Sequence, residues 1–436
     1  MSGRGPDSHT APRSGVVAWA LWDCGATGVN AVVVTFVFSV YLTEQVGSGL
    51  PGPGTPASWL GRALTLAGIC VALLAPATGV WVNAPHRRRT ALAVLTGLVV
   101  IMTSAMSLIR ADYHYLWLGL VLLACAAACS DLATVPYNAM LRQLSTGENS
   151  GRISGLGSAA GFFGSVLLLL IVYFGFIQGD GGTRGLLGIA AVDGDNVRAS
   201  MLLAAAWFAL FAWPLLVSVP VPASADRGPA VGFFGAYRAL WDEVRSEWRR
   251  DHNVVYYLLA SAVFRDGLTG VFTFGAVLGV SVYGLSQADV LVFGVCASTA
   301  AAIGAMLGGV LDDRLGSTLV IAGSLSAMIV VGLVLLTVAG PLPFWICGLL
   351  LCLFVGPTLA SARALMMRMS AEGKEGVAFG LYTTTGRAVS FLAPWMFFTF
   401  VDLFDSDRAG LAGLCVVLAA GLAAMMVTVR VPRVAR

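Results

Sequence analysis

Five ionisable side chains sit inside stretches of sequence that are otherwise apolar: Asp23, Asp131, Arg265, Asp266 and Arg387. An ionised group at mid-bilayer costs at least about 2.5–3.5 kcal/mol on insertion scales, so its presence points to a task. The residue types suggest which. A carboxyl that is alternately hydrated and dehydrated can load and release a proton near neutral pH. A guanidinium can hold the anionic group of a solute, or neutralise a carboxylate once its proton has left. Asp266 or Asp131 is the expected proton site, with Arg265 and Arg387 as the anion-holding side chains. A static ion pair, for example Asp266 with Arg387, is the plainer alternative. Asn30, Asn138, Tyr137 and Thr383 to Thr385 add donors and acceptors on the same stretches, although helical threonines more often bond their own backbone.

The elements that must position these groups follow from composition. Hydrophobic residues make up 58% of the chain and charged ones only 11%, which an ordinary soluble fold does not match. Apolar runs of roughly 20 residues, enough to cross a ~30 Å hydrocarbon core, recur along the whole sequence. They cover 16–44, 58–83, 90–109, 115–139, 153–176 and 199–220, then 253–280, 288–311, 318–339, 344–367, 377–401 and 409–430. The expected fold is therefore an all-α membrane protein of twelve transmembrane helices. At 1.5 Å per residue, Asp23 lies roughly 10 Å and Asp131 about 12 Å from one face, with Asp266 and Arg387 roughly 15–20 Å deep.

Most of the basic residues fall at a single face if the N-terminus is cytoplasmic: Arg13, Arg87 to Arg89, Arg142, Arg152, Arg314, Arg363 and Arg368 among them. The positive-inside rule then places both termini in the cytoplasm. The first apolar run is too long for a cleavable signal. The segment 221–252 splits the chain into six runs and six, with tails at 1–15 and 431–436 and bundles at 16–220 and 253–430. Trp241, Val244 and Trp248 recur at helical spacing over 237–250, which reads as an amphipathic helix on the inner membrane surface or a solvated linker helix. Pro136, Pro357 and Pro394 are candidate kinks or hinges.

All eight cysteines lie within the apolar runs, where they act as small apolar residues; no disulfide framework, metal spacing or cofactor is expected. No phosphate-binding glycine loop ending in Gly-Lys-Ser/Thr occurs, which disfavours an ATP-driven pump, and no nucleophile–base pair suggests an enzyme. Nucleic acid is not an expected partner; the bilayer, a small solute and a coupling proton are. Lys374 is the only lysine, a bias like that of GC-rich bacterial genomes.

One pattern is written twice. Gly151-x3-Gly155-Leu156-x4-Gly161-x3-Ser165 returns as Gly376-x3-Gly380-Leu381-x4-Gly386-x3-Ser390. Small residues on one helical face allow close backbone approach in lipid, and a tandem copy implies a duplicated bundle whose halves are related by a pseudo-two-fold. The expectation is that these glycines serve packing common to both bundles. After the third glycine the copies part: Phe162 stands in one, Arg387 in the other.

Gly309-Val310-Leu311-Asp312-Asp313-Arg314-Leu315-Gly316 resembles the loop signature of the major facilitator superfamily. The earlier segment from Gly79 to Arg89 keeps the glycine and the basic cluster, but carries Asn83 at the acidic position. The resemblance implies that Asp313 and Arg314, with Arg87 and Arg88, form inner-face contacts latching an outward-facing state, while Asn83 offers only hydrogen bonds. Ala18 to Asp23, Val135 to Leu141, Asp266-Gly267 and Phe379 to Tyr382 look like a narrower branch, the fungal autophagy-related vacuolar amino-acid effluxers and their bacterial relatives. Arg265-Asp266 departs from it in charge. The resemblance implies two six-helix bundles, a cavity lined by spans one, four, seven and ten, and secondary active transport by alternating access in a monomer. A proton-linked small polar or zwitterionic solute, such as an amino acid, is the expected cargo. Gly157-x3-Gly161-x2-Gly164 resembles an antiporter glycine motif, with Phe162 where that motif has proline, and leans the expectation to efflux. The rival reading is a transporter-fold protein that senses a solute or moves a lipid-like amphiphile.

Overall fold

The computed structural model describes residues 13–51, 54–179, 182–218 and 252–428, with Gly235, Arg238, Trp241 and Arg245 between. Among these residues twelve helices are long and apolar enough to cross a membrane: α1 (Arg13–Val46), α2 (Pro56–Trp81), α3 (Pro85–Leu108), α4 (Tyr113–Leu144), α5 (Ser150–Ile177), α6 (Val192–Val217), α7 (His252–Ser281), α8 (Val292–Leu315), α9 (Ser317–Thr337), α10 (Pro341–Met369), α11 (Glu375–Phe404) and α12 (Asp407–Val427). The linker helix expected over 237–250 lies outside the described residues, apart from the helical Arg238, Trp241 and Arg245. So do most of the tails.

Several helices begin before their apolar runs because polar residues start them well. α3 opens with Pro85 at its first position, where a fixed φ and a missing N–H cost nothing. Arg87 to Arg89 are thereby helical rather than loop. α6 begins at Val192 in a short 3-10 turn that leads into Asp195, an acid suited to a helix N-terminus. The loop before it holds a small antiparallel hairpin, β1 (Thr183–Arg184) with β2 (Ile189–Ala190).

Several spans are irregular, α5 among them, which ends in a π-helical turn over Tyr173–Ile177. α1 turns π-helical over Ala31–Phe36, directly after Asn30, and again over Leu42–Val46; such stretches are rare and collect at functional sites. α11 breaks between Glu375–Val389 and Leu392–Phe404. Pro394 lies in the first turn of the second piece, whereas Pro136 and Pro357 sit inside continuous helix.

The halves α1–α6 and α7–α12 meet chiefly where α5 packs on α8 and α2 packs on α11. The repeated glycines explain how. A methyl group at Gly309 would come within 2.5 Å of the Gly151 carbonyl oxygen, and one at Gly79 within 2.5 Å of the Gly376 carbonyl oxygen. Gly155 faces Ala305 and Gly309, while Gly380 faces Ala75 and Gly79. The first two glycines of each copy therefore serve close packing, and the backbones they bring together belong to opposite halves. Only the third glycine looks inward: Gly161 faces Thr27 and Asp23 on α1, and Gly386 faces Arg265 on α7.

Because these contacts leave no room for a Cβ, Gly376→Leu should wedge the halves apart at this face. Ser154, now fully buried with its hydroxyl on Ala360, reports the change. In a chain whose eight cysteines are first replaced, Ser154→Cys should react with maleimide at least about tenfold faster when Gly376→Leu is added, the change set by a ~1.4 kcal/mol population shift. An unchanged rate would show that the face does not open.

Candidate functional site

The side chains that join the halves form two layers. The first lies at the end of the bundle where α1 begins, here termed the arginine-rich face. Arg88, on the first turns of α3, turns inward and is 2% exposed. It donates to the carbonyls of Val82 (3.0 Å) and Ala139 (2.9 Å) and to Glu375 Oε2 (2.8 Å). The other Glu375 oxygen lies 2.7 Å from Arg142 Nε, and Arg142 also donates to the Met367 and Ser370 carbonyls. Glu375 in the second half is thus clamped between two arginines of the first, out of water.

The pseudo-two-fold repeats the arrangement with different chemistry. Asp313 accepts hydrogen bonds from the backbone N–H groups of Gly151 (2.8 Å) and Arg152 (3.1 Å), which open α5. A carboxylate there meets both the unpaired N–H groups and the positive end of the helix dipole. At the related position Asn83 accepts from the Val377 N–H at 3.3 Å, near the start of α11. Asn83 offers a hydrogen bond without charge, in keeping with its residue type. Arg314, expected to pair here, is exposed and enters none of these contacts. Arg368 takes its place, bonding Asp312 at 2.5 Å and Asp313 at 3.1 Å, because its position in the last turn of α10 points back at the end of α8. Arg87 is half-buried beside the layer; Arg88 is its inward member.

The second layer lies deeper and reverses the polarity. Asp23 on α1 faces Arg363 on α10 at 3.5 Å, and Arg363 also donates to Ser158 Oγ on α5 at 2.5 Å. Thr27 donates to Asp23 one turn on. The Arg363 guanidinium lies 5.3 Å from the Trp19 ring and 5.8 Å from that of Tyr137, rings that stack at 4.4 Å with planes 3° apart. The buried Tyr137 hydroxyl lies beside Asp23 and Arg363, without a well-formed hydrogen bond among the described residues. The charge distribution along the sequence places Arg363 at the membrane face with its basic neighbours; in the structure it is six residues inside the end of α10 at Met369, and its length carries the charge inward. Its sequence signal is a cation within an apolar run, the same as that of Arg387.

Asp131 on α4 pairs with Arg387 on α11. The expected alternative of Asp266 with Arg387 does not form. Asp266 instead accepts from the Ala393 N–H at 2.5 Å, capping the helix that restarts after the break in α11. Arg265, its neighbour, donates to the Tyr382 carbonyl at 2.9 Å with its guanidinium 3.7 Å over that ring. Asn30 and Asn138 are half-buried and have no side-chain hydrogen bond among the described residues. Thr384 and Thr385 bond carbonyls of their own helix. Among the described residues no group of three His, Cys, Asp or Glu side chains could hold a metal ion.

Removing one partner of a buried pair leaves an uncompensated charge, at a cost of about 3–5 kcal/mol. Glu375→Gln should therefore weaken the closure of the arginine-rich face by roughly that amount, read as faster hydrogen exchange in 139–144 and 367–376. Exchange as slow as in the unsubstituted chain would mean that the pair contributes nothing.

Three solved structures share the architecture. The MFS proton:xylose symporter XylE superimposes with a TM-score of 0.73 at 14% identity, covering 96% of each chain. The MFS transporter FucP in its outward conformation gives 0.68 at 15%, covering 96% of this chain and 100% of that one. A bacterial homologue of the iron transporter ferroportin, in an outward-facing state, gives 0.64 at 15%, covering 96% and 98%. No curated protein matches this sequence. The family model for the Major Facilitator Superfamily matches residues 24–394. With twelve membrane-crossing helices in two halves joined at one face, this chain is a member of the Major Facilitator Superfamily, a family of membrane transporters rather than enzymes.

Proposed function

We propose that this secondary transporter is proton-coupled and that Asp131, released from Arg387, is the group that carries the proton. The carrying observation is the Asp131–Arg387 pair itself. It crosses between the halves at mid-depth, and its side chains are 22% and 40% exposed. Charged groups at that depth face water or protein rather than lipid, so the pair borders the cleft between the halves. Protonation of Asp131 would dissolve the ion pair and free Arg387, coupling proton loading to a change in how the halves adhere. Asp23 with Arg363 is the second such pair, more enclosed and backed by Ser158, Trp19 and Tyr137.

The cluster of contacts at the arginine-rich face supports a state closed there, with the cleft open toward the other side. If that face is cytoplasmic, as the distribution of arginines implies, the state is outward-open. We further place the protein as a monomer in a bacterial plasma membrane with both termini inside, its halves bounded near 16–220 and 253–430. The resemblance around Ala18 to Asp23 and Phe379 to Tyr382 supports the autophagy-related branch. The charged cleft favours a small polar solute over a lipid-like one.

The test is solute-driven proton movement in proteoliposomes, screened with amino acids, sugars and organic acids. Asp131→Asn should abolish proton movement while leaving solute exchange in place. Asp266→Asn should keep both within about twofold, because asparagine caps a helix as well as aspartate does. Proton coupling that survives Asp131→Asn, or vanishes with Asp266→Asn, would overturn the assignment.

A further inference from the structure

The deep layer is not electrically balanced. Its two acids, Asp23 and Asp131, are each opposed by an arginine of the other half, Arg363 and Arg387. Arg265 is a third cation, and it has no carboxylate within ion-pairing distance among the described residues. One hydrogen bond to a carbonyl and the face of Tyr382 hold it, which leaves most of its five donors unused. Asp266 does not neutralise it: that side chain is buried and spent on the Ala393 N–H, with no ion pair to Arg265 among the described residues.

Its direction is set by the helix. Arg265, Thr269 and Phe272 fall on one face of α7 by their spacing, and Phe272 stacks on Phe162 of the opposite half at 6.1 Å. That face therefore looks across the cleft. Gly386 keeps the space beside the guanidinium clear, since a methyl there would come 3.0 Å from Nη2. The repeat identifies the counterpart. Gly25 and Gly28 face Phe208 and Trp207 of α6, as Gly267 and Gly270 face Leu418 and Leu414 of α12. Arg265 thus occupies in the second half the place that Asp23 occupies in the first, and the partner acid has no equivalent.

We infer that Arg265 anchors the carboxylate of the transported solute, and that the solute is a small organic monoanion rather than a zwitterion or a neutral sugar. This rests on the transport reading above. A carboxylate matches the forked donors of a guanidinium, while Phe162, Phe272 and Tyr382 offer an apolar wall to its body. A zwitterion would also need a free acid for its ammonium, and both acids in the layer already hold arginines; this narrows the amino-acid expectation. Closing the cleft over Arg265 without an anion would dehydrate an unpaired charge, so an empty carrier resists closure and a loaded one does not. One proton moving with one monoanion makes the cycle electroneutral.

The test is equilibrium binding to the purified full-length protein in detergent, with no gradient, using lactate, benzoate, alanine, lactamide and xylose as probes. The carboxylates should bind and the other three should not. Arg265→Gln should weaken carboxylate binding by at least about tenfold, and Arg265→Lys should restore part of it, since the charge remains. Binding by Arg265→Gln equal to the unsubstituted protein, preference for alanine or xylose, or no carboxylate binding at about 10 mM would each overturn the inference. Thermal unfolding of Arg265→Lys confirms a folded protein should Arg265→Gln fail to fold. These results are independent of proton movement, so a failure here leaves the Asp131 assignment standing, and the reverse also holds.

Discussion

The structure depends on how two half-bundles adhere along a surface that must also part. Hydrophobic burial gives little direction here, because lipid is as apolar as a leucine side chain. What remains is close backbone packing and electrostatics, and both are written into the interface. Gly79, Gly155, Gly309, Gly376 and Gly380 bring peptide groups of opposite halves into contact. Around them the charges run in two layers of opposite sense. At the arginine-rich face the first half supplies cations, Arg88, Arg142 and Arg152, and the second supplies acids, Glu375 and Asp313. In the deeper layer the first half supplies the acids Asp23 and Asp131, and the second supplies the arginines. A shift of one half along the other would bring like charges together, so the reversal fixes register as well as adhesion.

The two faces of the pseudo-two-fold solve one problem by different means. The start of α5 is satisfied by the charged Asp313, and the start of α11 by the neutral Asn83. The charge missing at Asn83 reappears at Glu375, held by Arg88 and Arg142. Arg88 spans the gap, reaching the carbonyls at the end of α2 and in α4 as well as the acid on α11. A loop change is thereby compensated within reach of a single guanidinium.

Much of this was legible in the sequence, and the remainder was hidden for physical reasons. Hydropathy marks a span because crossing hydrocarbon needs a fixed apolar length, so all twelve runs reappear as helices. The glycine repeat was readable as close packing, but a small residue does not say which helix it meets, and the partner lay in the other half. Asp266 read as a proton site because an acid in an apolar run is costly. In the structure the break in α11 exposes backbone N–H groups, and Asp266 accepts a hydrogen bond from that of Ala393. Arg363 and Glu375 were passed over because each lies within two turns of a helix end. A long side chain near a boundary can point out to water or in to a partner, and spacing alone does not choose between them.

If the layered charges are one side of an alternating-access cycle, closure at one face and opening at the other are a single event. Spin-label distances measured by double electron–electron resonance in the same lipid preparation test this most directly. One pair would sit at Thr146 and Glu372 on the arginine-rich face, the other at Ser48 and Ser406 on the opposite face, all exposed positions. The account predicts two populations at each face that exchange weight reciprocally as pH falls, short becoming long at one face while long becomes short at the other. Single distances at both faces that do not respond to pH, or changes at one face without the other, would contradict it.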